Sequence, residues 1–409
     1  MENYFTLLVV LITLLLGLIL GKAWERYKLR RGRWIDRRKA RESPHYILGL
    51  NFLVANQLDP AIEQLRRAAD LAPDVLEIHM ILGNLHREKG QIGRAIQVHQ
   101  SLLQKPALTK LEHAYVMLCL GLDFKQGGFV DRAREAFNDV LRLDPENQFA
   151  LLNLEKLHEE QRQWDLAYQV RQQLVQISNA EQPSRDHEIL AFIENELGLE
   201  ELRRKNYKES AKHFLAAIEL DEKAAPAYLN LGDVELHNKN LSSATETWER
   251  MIRIAPERAY LTFDRLEAAY SEMEQPQRFT ELCRQLIAAN PQDWRARLAL
   301  AQYKSKSKPT KESLELLLDA LTYNPHALSI HQAIWETLLN FKLQPDLVQR
   351  YIRLTRQSIF YMDPHICIRC RYRSTELLWQ CPHCHEWNTF VEERIAPAKE
   401  TREEAEQPM

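Results

Sequence analysis

The sequence predicts an all-α chain: a solenoid of helical hairpins, preceded by one membrane-spanning helix and followed by a small metal-held ribbon. Three observations predict it. A period of 34 residues runs from about Arg41 to Asn324, an uncharged run occupies Tyr4–Leu20, and two Cys-x-x-Cys pairs stand ten residues apart near the C-terminus. Composition agrees, because 45% hydrophobic residues with only 12 glycines in 409 suit helices better than a β-rich fold.

The first element is the 17-residue run YFTLLVVLITLLLGLIL. As a helix it reaches about 26 Å, the short end of what crosses a bilayer. Residues 22–41 follow with ten Lys/Arg and two acids, a net of +8, and Trp24, Tyr27 and Trp34 sit among them as interfacial aromatics do. The whole chain carries −3, so the remainder carries −11. A basic belt on an acidic body suits anionic lipid headgroups rather than nucleic acid. A cleaved leader places its positive charges before the apolar run and a small-residue site after it; here the charges follow, and no such site is present. The expectation is an anchor over 1–21 and a juxtamembrane segment over 22–41. The positive-inside rule then puts the body on the cytoplasmic side. Gly17 and Gly21 have the G-x-x-x-G spacing of a helix-packing face.

The repeat body spans 42–325. Gly49, Ala61, Leu65 and Pro73 begin the series; Gly83 and Ala95 stand 34 residues on. Gly121, Ala133, Phe137 and Pro145 repeat the frame, as do Gly232, Ala244, Trp248 and Pro256. This pattern resembles the tetratricopeptide repeat. The small residue at position 8 and the Ala at position 20 sit where two helices cross closely. The large residue near 24 fills the gap to the next hairpin, and the Pro near 32 ends the helix. Frames at Ala167, Ala211, Phe279 and Ser313 read as degenerate, and the polar stretch Ser178–Asp186 is expected to interrupt the stack.

Within 42–325 there is no Gly-rich phosphate loop and no His-Glu-x-x-His, so an enzyme is not expected. The scattered histidines read as ordinary helix-surface or groove residues. Cys119 and Cys283 read as isolated buried thiols of a reducing compartment. Solenoids of this kind offer a concave face lined by the first helix of each hairpin, and Asn84, Arg87, Lys125 and Asp233 are the candidate partner groove. After Pro325, Ile330, Ile334, Leu338 and Leu339 mark one apolar face and Leu347, Tyr351, Leu354 and Ile359 another, read as capping helices over 326–361.

The last folded unit, 362–393, holds Cys367-Ile-Arg-Cys370 and Cys381-Pro-His-Cys384. Each pair makes a knuckle whose thiolates point at one ion, and two knuckles complete a tetrahedron with metal–sulfur bonds of about 2.3 Å. Four thiolates leave no open position for water, so the site is structural. Zinc is the favoured ion, and iron suits the same four sulfurs. His365, His383 and His385 are surplus to the ligand set. Trp379 and Trp387 are expected to form the ribbon's small core. The tail 394–409, with Glu400, Glu403, Glu404 and Glu406, reads as disordered and acidic.

Taken in order, anchor, basic belt, degenerate repeats and terminal four-Cys unit resemble the lipopolysaccharide assembly protein B (LapB) family of Gram-negative bacteria over essentially the full length. The stretches that carry the resemblance are Gly49-Leu50-Asn51-Phe52-Leu53, Leu82-Gly83-Asn84-Leu85 with Arg87 and Gly90, Arg94-Ala95-Ile96 with His99-Gln100, and Trp379-x-Cys381-Pro382-x-Cys384-x-x-Trp387. The resemblance implies an inner-membrane adaptor that helps the membrane protease FtsH degrade the deacetylase LpxC, and that answers to a lipopolysaccharide-sensing membrane protein. It also implies a rubredoxin-like ribbon packed on the repeats. Rubredoxins commonly have Gly after each knuckle, where this chain has Arg371 and His385, which weakens an electron-transfer role. Two alternatives stay open beside the adaptor: a scaffold for lipopolysaccharide synthesis or transport proteins without proteolysis, and a redox protein with an iron centre.

Overall fold

The computed structural model describes residues 20–22, 43–105, 108–177, 183–307, 310–324, 327–339 and 365–392. The expected anchor and basic belt, apart from 20–22, lie outside these residues, as do 340–361 of the expected caps and the tail from 394. Among the described residues no helix is long and apolar enough to cross a membrane. The chain divides into two compact units, 1–161 and 162–409.

The first unit holds α1 Pro44–Val54, α2 Leu58–Leu71, α3 Leu76–Glu88, α4 Ile92–Leu103, α5 Lys110–Gln126, α6 Val130–Leu143 and α7 Gln148–Glu160. The second begins with α8 Trp164–Ile177, α9 Pro183–Arg203, α10 Tyr207–Leu220, α11 Ala225–His237 and α12 Leu241–Ile254. A 3-10 turn, Pro256–Thr262, leads to α13 Phe263–Glu272, α14 Gln277–Ala289, α15 Trp294–Ser307, α16 Lys311–Tyr323 and α17 Leu328–Leu339. The ribbon strands are β1 His365–Cys367, β2 Arg373–Ser374 and β3 Phe390–Glu392.

Among the described residues, seven turns between paired helices share one geometry. Asn56, Gly90, Gly128, Arg162, Lys205, Lys239 and Glu274 all take positive φ. At six of the seven the next residue donates its N–H back to a carbonyl five positions earlier, as in Gln57 N to Phe52 O at 2.8 Å and Asn240 N to Glu235 O at 2.9 Å. This is the Schellman closure that satisfies orphan carbonyls at a helix end. Only two of the seven positions are glycine; the others accept about 1–2 kcal/mol of left-handed strain.

Helix crossings follow the 8–20–24 rule. Ala61, Ala95, Ala133, Ala167 and Ala244 are fully buried at position 20. A methyl group on Gly121 would sit 2.6 Å from the Phe137 ring, so that crossing admits no side chain. Gly232 is covered in the same way by Trp248, which is buried and donates its Nε1–H to Leu229 O at 3.3 Å. The frame read at Ala211 corrects by one residue. Its position 20 is the buried Ser210, whose hydroxyl donates to Gly198 O at 2.8 Å, and Gly198 packs under Phe214. That frame is as regular as its neighbours; serine stands in for alanine because its one polar atom finds a carbonyl.

In the second unit Phe214, Tyr228, Trp248, Tyr270 and Phe279 lie in one continuous core from α9 to α15. Ile330 and Ile334 of α17 close its far end against Leu298, Ala301, Leu317 and Ala320. In the first unit α5 starts with a capping box. Thr109 Oγ1 accepts the Glu112 N–H at 3.2 Å, and Glu112 Oε2 accepts the Thr109 N–H at 2.9 Å. A cap of this type contributes about 1 kcal/mol and sets the start of α5.

Candidate metal centre and its docking face

The three ribbon strands pair antiparallel in the order β2-β1-β3, with Ile366 opposite Arg373 on one side and Val391 on the other. Each cysteine pair closes a matching turn. Arg371 donates its N–H to Cys367 O and His385 to Cys381 O, both at 2.9 Å, and both residues take positive φ. Non-glycine residues hold this conformation at a cost of about 1 kcal/mol or more.

The turns bring four thiols together. Cys367 and Cys384 are 3.8 Å apart, Cys370 and Cys381 are 3.6 Å apart, and all four sulfurs lie within 4.8 Å of one another. A tetrahedron with metal–sulfur bonds of about 2.3 Å has sulfur–sulfur edges of about 3.8 Å, so the four fit one ion. The Thr389 hydroxyl lies 3.2 Å from Cys367 Sγ. Burial raises the Cys367 thiol, but Thr389 and the knuckle N–H groups of Cys370 and Arg369 outweigh it and bring it down to about 6. That environment favours a thiolate at Cys367, whereas burial and the neighbouring thiols raise Cys381 and push Cys384 up to about 12. Zinc and iron both accept such a set.

The two tryptophans do not form the ribbon's core, contrary to expectation. That core is Cys367, Cys381 and Phe390 with Leu377 and Leu378. So short a unit has no room to enclose two indoles, and they pack instead against the helices, Trp387 buried and Trp379 half-buried. Trp387 stacks on Phe192 of α9 with centroids 5.3 Å apart and planes 15° apart, and it meets Trp164 of α8 at 6.0 Å. Trp379 lies 6.1 Å from Phe192 on one side and 5.1 Å from the Arg258 guanidinium on the other.

Polar ties surround the aromatic contact. Arg185 donates to Trp387 O at 3.1 Å and to Glu386 at 3.4 Å; Arg258 donates to Asn388 Oδ1 at 2.7 Å; Asn388 donates to Glu188 at 2.6 Å; Arg295 pairs with Glu392 at 2.7 Å. The ribbon therefore grips α8, α9, the 3-10 turn and α15 together. Sequence reasoning missed Trp164, Arg185, Phe192, Arg258 and Arg295. The available signal was a surplus of aromatic residues in the ribbon with no place to go.

The groove candidates fall in separate places. Arg87 of α3 donates to Asp123 Oδ1 of α5 at 2.9 Å and to Cys119 O at 3.4 Å. Asp123 is fully buried and accepts from His99 Nδ1 at 2.5 Å, so His99 is a core residue and not the surface or groove residue expected. Asn84 lies beside Cys119, with its Oδ1 buried and without a hydrogen-bond partner among the described residues. Lys125 pairs separately with Glu160 at 3.4 Å, and burial pulls its ammonium below the ordinary range. Asp233, in the second unit, receives both arms of Arg265 at 2.7 and 2.8 Å. Cys119 and Cys283 are buried free thiols, pushed up by burial to about 11 and about 12.

Comparison with known proteins gives three results. Residues 365–392 match the family model described as a rubredoxin metal binding domain, and 46–107 and 195–259 match the tetratricopeptide repeat. The chain is similar to lipopolysaccharide assembly protein B of Escherichia coli strain K12, 23% identical over 357 residues, covering 86% of this chain and 89% of that protein. It is 24% identical over 364 residues to the protein of the same name from Haemophilus influenzae, covering 85% and 89%. Among solved structures, a tetratricopeptide repeat protein from Parabacteroides merdae aligns over 71% of this chain and 96% of its own, at 16% identity and a TM-score of 0.34.

Proposed function

The chain belongs to the lipopolysaccharide assembly protein B family, and from that premise we propose that it is a membrane-anchored, non-catalytic adaptor in lipopolysaccharide assembly. The observation that carries the reading is the closed four-thiol site docked on helical repeats. With zinc bound, four cysteines complete its coordination, so the ion supplies folding free energy and no open position for a substrate. Cys367, Cys370, Cys381 and Cys384 hold it. The arginines and tryptophans around it convert the folded ribbon into a clamp on α8, α9 and α15.

The finer mechanism in this reading is colocalisation. Residues 1–21 span the inner membrane, 22–41 sit on anionic headgroups, and the repeats face the cytoplasm. Of the expected groove, Arg87, Lys125 and Asp233 are held by Asp123, Glu160 and Arg265, so in this reading a partner meets the exposed polar faces around Asn84, Arg87, Lys125 and Asp233 and not those side chains alone. Confining such a body to the membrane surface raises the effective concentration of a bound substrate near a membrane protease. The pair this account assigns is FtsH and LpxC, with a lipopolysaccharide-sensing membrane protein upstream.

The test is a Cys367→Ser/Cys370→Ser double variant expressed in place of the natural chain. The expected outcome is normal membrane insertion with lost turnover of the deacetylase. Normal turnover with an unfolded ribbon would remove the ribbon from the mechanism.

A further inference from the structure

We propose that the knuckle tips of the ribbon are a second membrane contact, a cationic and apolar surface that docks on anionic phospholipid headgroups. This rests on the membrane-anchored reading above and goes beyond it, because the anchor and basic belt lie at the other end of the chain.

Charge is segregated across the ribbon. Residues 365–392 carry Arg369, Arg371 and Arg373 against Glu376, Glu386 and Glu392. Two of the three acids face the repeats, Glu386 on Arg185 and Glu392 on Arg295. Arg369 and Arg371 are exposed, and neither has an ion-pair partner among the described residues. The helices thus take up two of the ribbon's three acids and leave Arg369 and Arg371 exposed at the tips.

The same tips expose apolar groups. Ile368 is 58% exposed and Tyr372 40%. Tyr372 stacks with the exposed His383 of the second knuckle at 6.4 Å, so both knuckles contribute to one face. The residues that meet the repeats, Trp379, Glu386, Trp387, Asn388 and Glu392, are a different set. An aliphatic side chain, an aromatic ring and guanidinium groups together match the interfacial zone of a bilayer, where arginine reaches phosphate and rings sit at headgroup level. Headgroups need no pocket, whereas an acidic peptide gains specificity from a groove.

Arg371 adds an independent observation. Its φ of +65° is the conformation that glycine adopts freely, yet the chain places an arginine there. Backbone strain is accepted and a guanidinium is presented at the tip. The competing explanation is that these arginines offset the net negative charge of a four-thiolate metal centre, and metal content separates the two.

The experiment uses the full chain reconstituted into vesicles of phosphatidylcholine, alone or with one-third phosphatidylglycerol. Hydrogen exchange of 368–373 and 382–385 is read together with bound metal. The expected result is slower exchange at both tips only in the anionic vesicles. Arg371→Gly, which relieves the backbone, should retain metal and lose about fivefold of that protection; adding Arg369→Ser should lose about fivefold more. Equal exchange in the two lipids overturns the proposal, as does loss of metal in Arg371→Gly. Protection brought about by polyglutamate but not by phosphatidylglycerol would assign the tips to an acidic protein and also overturn it. Alkaline carbonate extraction reads the anchor separately. A chain that resists extraction but shows unprotected tips refutes the tip contact alone. A chain that is extracted refutes the anchor, while salt-sensitive protection in anionic vesicles would still uphold the tips.

Discussion

Truncating Trp387 tests how the ribbon is held. The indole is 4% exposed, stacked on Phe192 and in contact with Trp164. Replacing a buried large aromatic with alanine costs about 3–5 kcal/mol, of which the two ring contacts supply about 0.5–1.5 kcal/mol each. The ion pairs at the same seam leave their side chains 23–32% exposed, and such pairs are worth about 0–1 kcal/mol each. The aromatic insertion therefore dominates the polar ties. In Trp387→Ala the undocked population should rise by roughly two to nearly four powers of ten. Native-state hydrogen exchange of 183–203 and 365–392 in the metal-loaded protein reads this directly. Phe192→Ala should open the same segments, and the double variant should fall well short of additivity because the rings share one contact. Unchanged exchange in Trp387→Ala, with metal retained, would refute the clamp.

Other perturbations have equally definite outcomes. Gly232→Ala drives a methyl into the buried Trp248 and should destabilise the second unit by about 1–3 kcal/mol in urea unfolding. Asp123→Ala strips the buried partner from Arg87 and His99 and should cost the first unit about 3–5 kcal/mol, read by thermal unfolding. Cys119, at about 11 against an ordinary 9, holds about 100-fold less thiolate near pH 8 and should alkylate correspondingly slowly, while the four ribbon thiols become reactive on chelation. The unfolded chain releases the Cys119 and Cys283 protons first, so their contribution to stability is full below pH 9. It falls as pH rises through about 11 and about 12, measurable as a declining urea midpoint. Colourless purified protein with one zinc supports a structural site; a reddish protein with one iron supports the redox alternative.

Much of this architecture was legible because steric rules leave fixed marks. A small residue at position 8 is required wherever Phe137 or Trp248 must cross it, so those frames announce themselves. Turns were less legible. Arg162, Lys205, Lys239 and Glu274 adopt a conformation that glycine usually signals, because the surrounding hydrogen bonds hold them in it. Ser210 hid a regular frame by replacing alanine with a residue that buries well only once Gly198 O is beside it. The thiol set was readable from spacing alone, since ligands must lie close in sequence to make a knuckle. The docking face was not. Arg185, Arg258 and Arg295 converge on the ribbon from three elements, and no local pattern in a single sequence encodes that convergence. The groove candidates show the opposite case: each was placed by its repeat position, but Arg87, Lys125 and Asp233 are held in internal pairs that repeat position does not reveal.

The adaptor account is tested most directly by the half-life of the lipid A deacetylase in cells depleted of this protein, with new synthesis blocked. The account predicts a half-life lengthened several-fold and restored by the natural chain. An unchanged half-life would contradict proteolytic coupling and leave the scaffold reading in its place.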